Sequence, residues 1–154
     1  MDRSANMRAI RSKDMAPELA VRHLVHKMGY RFRLHRKELP GKPDMVFVSR
    51  RKVIFVHGCF WHSHGCKSSH VPRSNLEYWL PKLRRNQIRD GRNQQALAAD
   101  GWKCLVVWEC ETRDAAALKR RIVPFLDKRR SRPGLCRERC IQNEKASLSA
   151  KNRS

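Results

Sequence analysis

The chain has 154 residues, 35 Lys and Arg against 14 Asp and Glu, a formal charge of +21 and a pI near 10.9. That length sets a single domain of ordinary size, able to bury a core without disulfides. The charge exceeds what solubility needs and calls for a polyanion, DNA or RNA before an anionic membrane surface, since no apolar run approaches the roughly 18–20 residues that span a bilayer.

In chain order, the opening MDRSANMRAIRSKD is basic and lacks the apolar core of a secretory signal, which predicts a cytosolic protein. In that reducing compartment the six cysteines are expected to be thiols or metal ligands. A helix is predicted from Ala16-Pro17-Glu18 to Met28, with Pro17 in the first turn and Gly29 closing it. Tyr30 to Leu34 alternates like a half-buried strand, and Leu39-Pro40-Gly41-Lys42-Pro43 is a turn. Met45–Val48 and Val53–Val56 read as two strands joined in a hairpin by a basic turn. A loop over 57–74 precedes a helix from Asn75 to about Ala99, with Leu76, Trp79, Leu83 and Ile88 on its apolar face. Pro81 is expected in a first turn or at a break. Lys103–Trp108 is the most convincing buried strand, and a last helix covers about Arg113 to Lys128. Residues 128–154 have no apolar period and read as a disordered basic tail, leaving a domain over 1–127. Helix, three strands, helix, strand, helix is the order of a mixed α/β sheet flanked by helices.

The chemistry concentrates after the Val53–Val56 run. His57, Cys59, His62, His64 and Cys66 fall within ten residues, interleaved with Phe60 and Trp61. Cys59, His64 and Cys66 offer three soft ligands, and either Cys110 or Cys104 could complete a tetrahedral zinc site of the closed, structural kind. Cys104 lies inside an apolar strand, where a thiol is usually a small core residue. Cys136 and Cys140, spaced Cys-x3-Cys in the tail, are expected to bind nothing. Asp44 opens the Met45–Val48 strand, where its carboxylate could hold Mg²⁺ or merely cap the turn. Glu18, on pattern alone, only complements the helix dipole. His57 and His62 remain as bases able to take a proton from water. Phe60 and Trp61 are adjacent on an irregular loop that can hardly bury both, so both are expected to be exposed, free to stack on bases or enter a base step. Trp102 and Trp108 are expected to fill core.

Four segments, Asn6-Met7-Arg8-Ala9-Ile10, Leu39 to Asp44, Val53 to His62 and Val107-Trp108-Glu109-Cys110, together make the chain resemble the very-short-patch repair (Vsr) endonucleases from about Ser4 to Leu126. The resemblance implies a restriction-endonuclease-like fold with a structural Zn²⁺ on Cys59, His64, Cys66 and Cys110. It implies Mg²⁺-dependent nicking of double-stranded DNA 5′ of the thymine in T:G mismatches left by 5-methylcytosine deamination. Asp44, with the Val56 main-chain carbonyl, looks like the Mg²⁺ site, His62 like the general base, and His57 like the second active-site histidine. Glu18 looks like the supporting acid, against its bland reading. Phe60, Trp61 and Trp79 resemble the rings that wedge into DNA, and Lys82 and Asn86 the groups facing the mismatched pair. Met7 and Ile10 fall on the arm, residues 1–15, that grips DNA from the minor-groove side.

Val56 stands where the family often has Thr, but a main-chain carbonyl survives that change. Ser63 and Gly65 interrupt a run of histidines found in some relatives. The implied setting is a monomer in the bacterial cytoplasm, on the nucleoid, linked to a DNA cytosine methyltransferase. A zinc-stabilised DNA-binding module without cleavage, or more remotely an RNA-binding protein, would share the charge, zinc and aromatics; Asp44 and His62 discriminate.

Overall fold

The computed structural model describes residues 15–67 and 69–128. Met7 and Ile10 of the arm, and Cys136 and Cys140 of the tail, lie outside the described residues. Helix α1 (Ala16–Lys27) is followed by strands β1 (Arg33–Leu34), β2 (Met45–Phe47) and β3 (Lys52–His57), helix α2 (Leu76–Ala99), strand β4 (Lys103–Trp108) and helix α3 (Ala115–Asp127). The four strands form one sheet in the order β1-β2-β3-β4, antiparallel across the first two pairs and parallel between β3 and β4. Antiparallel neighbours need only the tight connection at Val48–Arg51, where Arg51 turns left-handed at φ 54°. The parallel pair needs a long crossover, which α2 supplies.

Period-two alternation divides the core between the two faces of the sheet. Met45, Phe47 and Ile54 point to the face covered by α1 and α3, meeting Val21, Val25, Leu118, Ile122 and Leu126. Val46, Val53 and Phe55 point the other way, against Leu97 of α2 and Trp102. Each of these fully buried aliphatic side chains stabilises the fold by about 1.5–3 kcal/mol over an exposed one. Among the described residues, Lys52 is one of three polar or charged residues at buried positions, with Glu18 and His57: its ammonium donates to the carbonyl oxygens of Leu126 and Lys128 at 3.0 and 2.6 Å. A cation at the C-terminal end of α3 satisfies carbonyls that have no helical donor.

Several expectations are corrected. The best-buried strands are β2 and β3, each between two neighbours; β4 has one neighbour and only Val107 fully buried. Of the stretch Tyr30 to Leu34, only Arg33 and Leu34 pair as strand, and both are exposed. Val48 leaves the strand for a short 3-10 turn. In α2, Trp79 and Leu83 are buried with Leu97, while Leu76 and Ile88 are exposed. Pro81 sits inside α2 without ending it; the carbonyl it leaves without a helical donor belongs to Glu77, on an exposed turn that water reaches. A 3-10 segment, Glu109–Arg113, separates β4 from α3, whose first turn is capped by Asp114 accepting from the Ala117 amide. No helix among the described residues is long and apolar enough to cross a membrane.

Candidate active site and metal cluster

Strand register brings the predicted residues to one end of the sheet. Met45 pairs with Ile54, so Asp44, one step before β2, lies beside the C-terminal half of β3. His57 pairs with Trp108, so the loop leaving β3 meets the segment leaving β4. The Asp44 carboxylate accepts the Val56 amide at 2.7 Å, which ties it to the sheet rather than to its own turn. Burial pushes its carboxyl up to about 6 from an ordinary 3.8; the Val56 amide pulls the other way, and the Glu18 charge adds to the rise. Glu18 is itself buried and meets Arg22 one helical turn on and His35 Nε2 at 2.9 Å.

His57 and His62 stack face to face, with centroids 3.8 Å apart and planes within 8°. Burial, and then the His62 ring, holds His57 down to about 4, so it is a neutral ring at neutral pH. His62 is bonded through Nδ1 to the Asp90 carboxylate of α2. In the neutral ring, Nδ1–H donating to the carboxylate leaves the lone pair on Nε2, the arrangement a base requires. Asp44, His57, His62 and Asp90 open on one groove of about 870 Å³, whose rim includes Lys37, Lys42 and Arg89. The turn at Leu39–Pro43 forms one bank. Gly41, at φ +75°, lies so close to α2 that a Cβ would stand 2.9 Å from the Asn93 side chain.

Above the groove, α2 holds the aromatic loop. The Phe60 ring meets Trp61 at 5.0 Å and Trp79 at 5.4 Å, both edge-on. Phe60 and Trp61 are half-buried against each other rather than exposed, and Trp79 is buried, because three rings and the helix share one small cluster. Asn86 donates to the Trp61 carbonyl at 3.0 Å. The Lys82 ammonium lies 5.1–5.6 Å from the rings of Trp61, Tyr78 and Trp79 and bonds the Tyr78 hydroxyl at 3.0 Å. Lys82, Asn86 and Asp90 are spaced by four and so share one helix face. Sequence reasoning missed Asp90, and that spacing, with the scarcity of acids, was the signal for it.

Cys59, His64, Cys66 and Cys110 bring four ligand atoms within 4.8 Å of one another; Cys104, on β4, is not among them. His64 Nδ1 is 3.5 Å from Cys110 Sγ, and the Cys110 amide points at Cys59 Sγ at 3.4 Å. Three thiols and an imidazole at this separation suit tetrahedral zinc. Cys59 is fully buried, and burial pushes its thiol up to about 12, a cost that a bound cation reverses. Trp108 is half-buried and stacks on His64 at 4.1 Å instead of filling core, so it orients an imidazole of the cluster. Two further groups among the described residues lie within that same distance: His57, His62 and Asp90, and Glu18, His35 and Asp44, the latter an oxygen-rich set that fits a harder divalent ion.

The family model described as DNA mismatch endonuclease Vsr matches residues 1–68. The chain is 58% identical over 121 residues to the type II nicking enzyme V.XorIIP of Xanthomonas oryzae, covering 79% of this chain and 89% of that one. It is 46% identical over 111 residues to the DNA mismatch endonuclease Vsr of Escherichia coli, covering 72% and 71%. Among solved structures, the catalytic domain of homing endonuclease I-Bth0305I superposes with a TM-score of 0.51 at 18% identity, covering 73% of this chain and 94% of that one, a likeness of fold alone.

Proposed function

The chain belongs to the Vsr family of DNA mismatch endonucleases, and from that premise we propose that it nicks double-stranded DNA 5′ of the thymine in T:G mismatches, using Mg²⁺ at Asp44 and the Val56 carbonyl. That it is a DNA endonuclease follows from the family; the mismatch, the metal and the residue roles are the proposal. The observation that carries it is the groove in which Asp44 and the His62–Asp90 pair face the same space.

The basic surface draws in the phosphate backbone and releases its counterions. Phe60 and Trp61 enter the stack, backed by the buried Trp79, and the stack opens at lower cost at a wobble pair than at a matched one. Lys82 and Asn86 face the opened pair, and the deformability of the duplex contributes to selection. Mg²⁺ when bound polarises the scissile phosphate and stabilises the charge that builds on it. His62 Nε2 takes a proton from the attacking water while Asp90 holds the ring and offsets the imidazolium charge. The water oxygen bonds to phosphorus as the bond to the leaving sugar oxygen breaks; that oxygen takes a proton from solvent water, and the His62 imidazolium returns its own to solvent. His57, kept neutral by burial, lies against His62 without repelling the imidazolium. Glu18 supports the charge balance around Asp44. Zn²⁺ on Cys59, His64, Cys66 and Cys110 fixes the loop. The protein acts as a monomer in the bacterial cytoplasm, on the nucleoid, upon lesions left where a partner cytosine methyltransferase has worked.

Strand-specific nicking of a T:G duplex, against its T:A counterpart, with and without Mg²⁺, tests this. Asp44→Ala and His62→Ala should keep mismatch binding and abolish nicking, and Asp90→Asn should slow nicking by roughly 10²-fold or more with little change in binding. A native protein that binds but never nicks with Mg²⁺ would instead be a DNA-binding module.

A further inference from the structure

His35 sits where neither turn formation nor packing calls for an imidazole. Its Nε2 stands 2.9 Å from Glu18 Oε1, and with Asp44 the three residues place their ligand atoms within 4.8 Å of one another. The three come from different elements: the first turn of α1, the loop after β1 and the approach to β2. His35 and Asp44 both line the groove. The backbone at His35 is left-handed, φ 46°, a conformation that costs a residue bearing a Cβ about 1–2 kcal/mol. The Arg22 guanidinium already directs a positive charge at two of the three lone-pair groups, bonding Glu18 and lying 2.7 Å from His35 Nε2. The guanidinium thus occupies the place of a cation among these groups, and a divalent ion binding them has to displace it.

We propose that His35, together with Glu18, joins Asp44 and the Val56 carbonyl as a protein ligand of the divalent ion in the groove, and that its imidazole widens the site from Mg²⁺ to first-row transition ions such as Co²⁺. The inference rests on the reading that Asp44 holds the catalytic metal. Mg²⁺ favours oxygen donors and gains little from an imidazole, whereas affinity for nitrogen donors rises along the series from Mn²⁺ through Co²⁺ to Ni²⁺. A carboxylate pair with one imidazole should therefore discriminate between the two classes where an all-oxygen site would not.

The test uses the full chain with its cysteine cluster preloaded with Zn²⁺, so that added Co²⁺ meets only the groove. His35→Asn is the informative variant, because Asn tolerates left-handed backbone and leaves the fold undisturbed. Calorimetry should show Co²⁺ affinity falling at least tenfold in His35→Asn, with Mg²⁺ affinity changed less than threefold. In the Co²⁺ protein, proton NMR should show an exchangeable, strongly shifted imidazole N–H resonance that disappears in His35→Asn. Unchanged Co²⁺ affinity, or a resonance that persists, overturns the inference. Asp44→Asn separates it from its premise: loss of both ions there, with His35→Asn silent, defeats the His35 ligand alone. Mg²⁺ and Co²⁺ binding untouched by Asp44→Asn defeats the metal reading of the groove and the inference with it.

Discussion

Asp44 shows how one residue can oppose folding and still be kept. Its carboxyl titrates near 6 in the folded protein against 3.8 as an ordinary group, mainly because it is buried. An acid whose folded pKa is raised binds its proton more tightly when folded. The metal-free fold is therefore free of the penalty below pH 3.8 and takes it on progressively as pH rises through 6. About two pH units correspond to roughly 3 kcal/mol. Asp44→Asn, which can still accept the Val56 amide, should stabilise the zinc-loaded, Mg²⁺-free protein by about 2–3 kcal/mol at pH 8 and by almost nothing at pH 4. Urea denaturation at the two pH values measures this, and equal effects at both would contradict a buried carboxylate as the source of strain. Asp44 stood out in the sequence as a candidate because acids are scarce and it opens a strand. Asp90 and His35 were not, since each acquires its meaning from a partner in another element: His62 for the first, Glu18 for the second.

At the scale of elements, the hairpin, the long helix and the last strand and helix follow from periodicity, and the mixed sheet follows from their order. What periodicity did not carry was position within the sheet. β4 looks as apolar as β3, but burial depends on the number of neighbours, and the edge strand shows its Lys103 and half-buries the residues between. Exposed Leu76 and Ile88 likewise satisfy a helical spacing without facing the core. Lys52 was invisible for the opposite reason, since a Lys after two Arg reads as turn. In the structure it is 3% exposed and joins the start of β3 to the end of α3. Lys52→Met keeps the length of the stem but leaves those carbonyls without their charged donor. It should cost about 2–3 kcal/mol, with the loss spread over α3 rather than the groove. Hydrogen exchange should show protection falling first in Ile122 to Asp127, while the nicking rate of the remaining folded protein stays within a few-fold.

For the whole molecule, two demands meet on the segment from Gly58 to Lys67. It must carry rings, bases and metal ligands together, yet contributes one fully buried side chain, Cys59, to any core. Apolar burial alone cannot fix such a segment. In the proposed zinc site, four ligand atoms drawn from the loop and from Cys110, just past β4, take over that work. The site's shape and its charge thus have separate origins. Removing zinc with a strong chelator, then restoring Mg²⁺, should abolish nicking because His62 and Trp61 lose their placement, while the basic surface still binds duplex DNA. Melting temperature should fall by roughly 10 °C, the effect of about 3 kcal/mol on a domain of this size. Cys110→Ala should reproduce both losses and retain no zinc. Cys104→Ala, which removes a half-buried thiol of β4 outside the cluster, should keep its zinc and most of its activity. Zinc content measured beside the nicking rate makes the comparison decisive: an active Cys110→Ala protein, or a Cys104→Ala protein without zinc, would assign the fourth ligand wrongly.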